Sequence, residues 1–242
     1  MVWEVLPRTA IVYSYILPPF SQVIKKLFND LFFGDLFFNV KTSLFFLFIG
    51  LLISFILTIF SLILSYASKT FREIFLSVAI IFNSIPSMAL LPIIIMWFGI
   101  GNLALIVLVV LATFWLMGQQ LINAMDDIPQ VYKDFSKNIE LSPVQNLIYV
   151  VFGSLIVNFI SGLRIAYTRA WRSLIGAEII FGVIGVSGGL GFYLNYNRNF
   201  GQMDGVFAGI IIIAIVSLLI DKILFQNLEK VTIKKWGLKK DE

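Results

Sequence analysis

The sequence predicts an all-α integral membrane protein with five transmembrane helices, and three observations carry that expectation. The 242-residue chain is 59% hydrophobic and only 13% charged, about half the charged fraction of an ordinary soluble domain. Its Leu, Ile and Phe residues fall in long uncharged runs without the polar–apolar alternation of barrel strands, which leaves helices to satisfy the backbone in lipid. The net charge of +4 gathers in a C-terminal tail at Lys222, Lys230, Lys234, Lys235, Lys239 and Lys240. Such a tail marks a cytoplasmic segment that touches membrane lipid, and nucleic acid is not an expected partner. The chain has neither Cys nor His, which excludes disulfides, thiolate sites and most zinc or redox chemistry. Neither a catalytic nor a metal site is expected.

Residues 1–41 read as a shortened N-terminal stub and an interfacial helix, and residues 42–242 as the transmembrane domain. The apolar segment Thr9 to Leu17 is too short for a crossing, which takes about 20 residues. Glu4, Pro18 and Pro19 deny it a cleavable-signal pattern. A complete span in place of this stub would raise the count to six. Beyond the prolines, Ser21 is placed to cap a helix whose apolar stripe is Val23, Ile24, Leu27, Phe28, Leu31 and Phe32. Lys25, Lys26 and Asp30 lie off that stripe. Such a helix either lies in the membrane interface or packs against neighbouring spans.

Thr42 to Ser68 is uncharged and suits one tilted span. Ile74 to Met125 is also uncharged and long enough for two, with the turn at Gly99 to Asn102. The first of these is interrupted at Asn83-Ser84-Ile85-Pro86 and again at Pro92. Proline leaves a carbonyl without its helical partner, and in membranes such breaks are tolerated where protein or a cavity covers them. Asn83, Ser84 and Pro86 are therefore candidates for a kink lining a transport pathway, with a purely structural kink as the alternative.

Between Leu141 and Asp204, hydropathy permits one crossing or two. Two would leave Arg164, Arg169 and Arg172 outside and, after the last span at Gly205 to Leu224, would carry the lysine tail outside too. One crossing places Lys69, Arg72, Lys133, Lys137 and the tail inside, leaving Arg8, Lys25, Lys26, Lys41 and Arg198 outside, as the positive-inside rule prefers. It also places ionisable residues within the membrane, where they face a bundle interior or water. Arg164, Trp171 and Glu178 recur at a spacing that shares one helix face, and Arg169 and Arg172 are i, i+3 neighbours on another side. Arg164, Arg169, Trp171 and Glu178 thus join the pathway or gate candidates, with snorkelling arginines and a structural Glu178 as the alternative. Gly182 to Gly191, GVIGVSGGLG, lacks the Gly-Lys-Ser/Thr ending of a Walker loop. It reads as an extracellular re-entrant turn.

Asp126 to Ser154 is a polar island. Pro129 opens a short helix with Val131, Tyr132 and Phe135 as its apolar contacts and Lys133, Asp134 and Lys137 solvated. Ser142-Pro143-Val144-Gln145 carries the capping box of a second helix. The two short helices are expected to meet in an elbow near Ile139 to Leu141.

The island stands among blocks that carry a family resemblance. IPSMALLPIIIMWFGIG (Ile85 to Gly101), GLRIAYTRAW (Gly162 to Trp171), GAEII (Gly176 to Ile180), SGGLG (Ser187 to Gly191) and LPPFSQV (Leu17 to Val23) follow in order. Together they resemble the permease subunits of binding-protein-dependent ABC importers, in the branch handling nitrate, sulfonates, taurine and bicarbonate. The resemblance implies a type I importer permease (MetI-like) bundle with a cytoplasmic coupling helix at about 126–154 and a cytoplasmic tail at 225–242. It implies a multi-pass subunit of the inner or plasma membrane that translocates a small anionic solute delivered by a separate extracytoplasmic binding protein. The implied partners are a second permease copy in a homodimer and two ATPase subunits, which would bind ATP and Mg; this chain would bind no cofactor. The family's coupling motif of Glu-Ala-Ala and a following Gly falls on Asp134, Phe135 and Ser136, with Glu140 at the glycine position. The expected ATPase-coupling residues are therefore Tyr132, Asp134, Phe135, Ser136, Glu140 and Ser142. A glycine would permit a left-handed turn that glutamate disfavours. The rival reading is an ion-gradient-driven secondary transporter with Arg164 and Glu178 as its switch. It leaves the elbow unexplained.

Overall fold

The structure is a computed structural model and describes residues 2–9, 13, 15–183 and 188–235. Parts of the expected N-terminal stub, residues 184–187 of the glycine-rich turn and the tail lysines Lys239 and Lys240 lie outside the described residues. Every regular element among the described residues is helical. Among the described residues, four helices are long and apolar enough to cross a membrane: Leu36–Ala67 (α3), Asn102–Asp126 (α6), Pro143–Gly182 and Met203–Lys230. A fifth crossing is formed if Lys69–Ser84 (α4) and Ser87–Phe98, bent at 93°, count as one span.

Helices α3 and α6 run side by side in the same direction. Ser54 Oγ lies 2.6 Å from Thr113 Oγ1, and one turn earlier Gly50 backs onto Val109, where a Cβ would come within 2.4 Å of Cγ1. The long helix Pro143–Gly182 comprises α8 (Pro143–Gln145), a π-helical turn (Asn146–Phe152) and the body of α9 (Gly153–Val183). It packs antiparallel to α3: Tyr66 receives a hydrogen bond from Asn146 Nδ2 at 2.8 Å, Phe55 meets Phe159 edge-on at 5.9 Å, and Ser43 meets Glu178.

The region from Leu141 to Asp204 therefore contains one long helix, as charge parity required. The chain then turns back in α10 (Leu190–Asn199), too short to cross at about 15 Å, and continues into α11 (Met203–Ile220), a second π-helical turn (Asp221–Phe225) and α12 (Gln226–Lys235). The short second helix expected at Ser142 is instead the first turn of the long one.

Three further expectations are corrected. Pro92 does not kink a span: it occupies the first turn of α5 (Leu91–Phe98), where its missing N–H has no helical partner to lose. Helix α3 begins at Leu36, ahead of Thr42, and the buried Asn39 amide in its first turns donates to Asp35 O at 2.8 Å. Ser21 does not cap α2 (Phe20–Phe33), whose N-cap is Pro19. The Glu4 carboxylate, on α1 (Val2–Val5), accepts the Ser21 N–H at 3.0 Å and its hydroxyl at 2.9 Å. These bonds, the backbone one foremost, and Arg8 hold the Glu4 carboxyl below the usual carboxylate range.

The buried face of α2 also differs from its apolar stripe. Val23, Leu27 and Asp30 turn inward, while Phe28 and Phe32 stay exposed. Asp30 is drawn in by Tyr193 Oη at 2.7 Å and Lys26 Nζ at 3.1 Å. The helix thus packs on α11 through one face, with Val23 and Leu27 against Ala208, as the packing reading expects, and leaves Phe28 and Phe32 on its exposed side.

A buried carboxylate joins three helices. Glu178, 1% exposed, accepts the Ser43 hydroxyl at 2.7 and 2.8 Å and the Gly191 N–H at 2.9 Å. Ser43 Oγ in turn accepts the Leu190 N–H at 2.8 Å. The carboxylate thus sits at the first turn of α10, where helix N–H groups have no intrahelical partner. Gly189, at φ 92°, leaves the space, since a Cβ there would lie 2.4 Å from Glu178 Cδ. Glu178→Ala strands these donors, at about 1–3 kcal/mol for each group left unpaired, whereas Glu178→Gln keeps one acceptor oxygen. Thermal unfolding in detergent is expected to show a clearly lower midpoint for Ala and a smaller loss for Gln.

Candidate functional site

The elbow joins one short helix to the capped start of the long one, where the sequence suggested two short helices, and has one unusual residue at its apex. Helix α7 (Gln130–Asn138) follows Pro129 as N-cap, and Ser142 starts the long helix with a complete capping box. Its hydroxyl accepts the Gln145 N–H at 3.3 Å, and its own N–H donates to Gln145 Oε1 at 2.9 Å. Between them α7 ends in a Schellman motif: Leu141 N–H bonds Ser136 O at 3.1 Å and Glu140 N–H bonds Lys137 O at 3.1 Å. The motif requires a left-handed residue, and Glu140 supplies it at φ 53°, the one non-glycine with positive φ among the described residues. The turn that glycine would make is therefore kept, at a backbone cost of about 1–2 kcal/mol.

Around that apex, Ser136 is buried and donates its hydroxyl to Lys133 O at 2.8 Å, which a residue little larger than alanine can do. Asp134 is exposed and accepts from Gln130 Nε2 at 2.8 Å. Val131, Tyr132, Phe135 and Ile139 are exposed. Tyr132 and Phe135 line, with Ile139, Leu141 and Tyr149, an apolar groove of about 490 Å³. An Arg72–Asp126 ion pair ties the start of α4 to the end of α6 beside the elbow.

A second site lies along α9. The break after Ser84 opens a cleft of about 630 Å³ between α4, α6 and α9. Asn83, Ser84, Pro86 and Arg169 all line it. Arg169 Nη1 donates to Asn83 Oδ1 at 3.1 Å, Asn83 Nδ2 donates to Gln119 Oε1 at 2.7 Å, and the Ser87 and Ser173 hydroxyls meet at 2.6 Å.

The other pathway candidates lie apart from this cleft. Arg164 reaches α11 and the C-terminal helix, donating to Asp221 through Nε at 2.6 Å and Nη2 at 2.8 Å, and to Glu229 through Nη1 at 3.0 Å. Trp171 is buried in the central apolar core, its indole N–H without a partner among the described residues. Glu178 belongs to the three-helix junction. The cleft adds Thr168, Arg172 and Ser173, which sequence reasoning had not assembled. The signal was present, because Ile165, Thr168, Arg169 and Arg172 are spaced to share a helix side. Among the described residues no cluster of acidic side chains suited to a metal ion is found.

The family model for the binding-protein-dependent transport system inner membrane component matches residues 50–233. The chain belongs to this family. It is 28% identical over 219 residues to a Haemophilus influenzae protein described as "Probable ABC transporter permease protein", covering 90% of this chain and 86% of that one. It is 28% identical to the taurine transport system permease protein TauC of Escherichia coli, covering 91% and 80%. Against the formylaminopyrimidine transport permease protein ThiX of Halalkalibacterium halodurans it is 27% identical, covering 90% and 85%. The chain is accordingly a membrane permease subunit of an ABC-type importer for a small solute, a non-catalytic component, and the secondary-transporter reading gives way.

In this permease the apex residue is directly testable. Glu140→Gly is expected to relieve the left-handed strain and slow amide exchange at Ile139 to Leu141. Ser142→Ala removes the cap, at about 1 kcal/mol, and is expected to speed exchange at Gln145 and Asn146. Hydrogen–deuterium exchange on the purified protein reads both.

Proposed function

We propose that the elbow is the ATPase-docking element of this permease and that the cleft around Arg169 is its share of the translocation pathway. One observation carries the proposal: the continuous helix Pro143–Gly182 starts at the elbow, directly after Ser142, and supplies the Arg169 wall of the cleft. A displacement applied at Ser142 enters the helix that carries Arg169. The docking contacts are Tyr132, Phe135 and the groove beside them, with Asp134 and Glu140 as the charged rim and Ser136 fixing the fold of α7. Two ATPase subunits, holding ATP and Mg, drive the cycle only if they bind the inward- and outward-facing states unequally.

A second copy of the chain covers the cleft, so that the solute passes between protomers. A separate binding protein delivers it at the Glu178 end. The basic residues near the elbow and in the tail support a cytoplasmic side for both. The cleft favours a small anionic solute, since its lining includes Arg169 and Arg172 and no acidic residue. Family membership does not choose the solute: the names of the relatives differ between taurine and formylaminopyrimidine. Arg164, Trp171 and Glu178 hold the helices that frame the pathway and do not touch the solute.

Gentle solubilisation and affinity purification of this subunit test the docking role. Tyr132→Ala with Phe135→Ala is expected to weaken ATPase recovery by roughly tenfold or more, as loss of aromatic anchors does at interfaces. Arg169→Ala is expected to leave recovery intact and lower uptake. Normal recovery and normal uptake in the aromatic double variant would sink the docking assignment.

A further inference from the structure

The last turn of α6 breaks an electrostatic preference beside the elbow. Asp126 ends the helix and Asp127 is its C-cap, although the C-terminal end of a helix favours cations over carboxylates. Breaches of local preference of this kind are expected at functional or strained sites. Two cations offset it, one from each side. Arg72, in the first turn of α4, pairs with the Asp126 carboxylate, and Lys133 of α7 donates to Asp126 O at 3.3 Å. Asp126 is therefore the residue at which α4, α6 and the elbow helix meet.

From this point α4 is fastened to α6 along its length. Phe75 lies against Gly118, where a Cβ would come within 2.5 Å of Phe75 Cζ. The Phe82 ring stacks on Trp115 at 4.8 Å, and Asn83 donates to Gln119 at 2.7 Å. Asn83 and Ser84, at the far end of α4, line the cleft. The α4 wall of the cleft is thus joined to the elbow through Asp126, as the Arg169 wall is joined to it through Ser142.

We propose that Arg72 is a positioning residue of the transport cycle, whose pair with Asp126 passes a change at the elbow to α4 and so to the Asn83 side of the cleft. The inference rests on the reading of the elbow as the ATPase-docking element. Lys133 rides on the docking helix and Arg72 on α4, and both bind Asp126. A displacement of α7 therefore alters the charge that Arg72 meets. Asp126 is more than half exposed, and a surface ion pair of this kind adds little to the stability of a fold. Its loss leaves the subunit assembled and isolates its effect on movement.

The natural absence of cysteine lets one introduced thiol report each wall. Ser84→Cys reports the α4 side and Thr168→Cys the α9 side, at two positions that are exposed in the cleft. Each variant, in the assembled importer with its ATPase and partner copy, is labelled with N-ethylmaleimide without nucleotide and again after trapping with Mg-ATP and vanadate. Peptide mass spectrometry reads the label at each position. With Arg72 in place, both positions are expected to change their labelling rate on trapping. Arg72→Gln is expected to shrink the change at position 84 by about threefold, within the range by which single contacts alter coupling, and to leave the change at position 168 in place. Arg72→Lys, which keeps the charge, is expected to restore the response at position 84. A general folding defect would instead reduce both responses. A response at position 168 alone with Arg72 in place, a response at position 84 unchanged by Arg72→Gln, or an equal loss at both positions overturns the inference and leaves the docking role standing. If neither position responds to trapping with Arg72 in place and the ATPase bound, the docking reading falls and the inference with it.

Discussion

The arrangement depends most on burying one carboxylate. Glu178 has no cationic partner among the described residues; its bonds come from a serine hydroxyl and a backbone N–H. A buried carboxyl group is tolerable only when it is hydrogen-bonded. Making these bonds requires α3, α9 and the first turn of α10 to meet at one point. The junction fixes the end of the long helix remote from the elbow. On the docking role proposed above, a displacement at Ser142 would act against that fixed end.

Elsewhere several polar groups of the bundle are paired locally. Ser54 meets Thr113 between α3 and α6, and Thr113 also donates to Val109 O at 2.8 Å. Arg164 is held by two carboxylates, which makes it a clasp between α9 and the C-terminal helices.

Much of this was legible in the sequence. The crossings follow from uncharged runs, and the single crossing through Arg164 to Glu178 follows from where the lysines lie. The capping box at Ser142 was legible because its chemistry is local and confined to Ser142 and Gln145. What was not legible depends on contacts distant in sequence. Glu4 replaces Ser21 in serving the first turn of α2 because the N-terminal turn folds back, and Asp30 turns inward because Tyr193, far along the chain, accepts it as partner. The separation of Arg164 from Arg169 was hidden for the same reason, since helical spacing orders residues around an axis but does not say which neighbour waits on each side. Glu140 was legible as a departure, yet its left-handed backbone was not. The Schellman bonds around it decide the turn, and glutamate accepts the strain.

A π-helical turn at Asn146–Phe152 follows the capping box directly. A π turn carries one residue more per hydrogen-bonded loop than the α-helix on either side and is frequent at functional sites. The turn is steadied from α3 by Tyr66, which bonds Asn146. A matching π turn begins at Asp221, the residue that grips Arg164. Both π turns therefore lie on the elbow side of the cleft, while the Glu178 end is held by buried hydrogen bonds. On the docking role proposed above, a push at the elbow would enter the helix through a π turn and reach the cleft before it reaches the junction at Glu178.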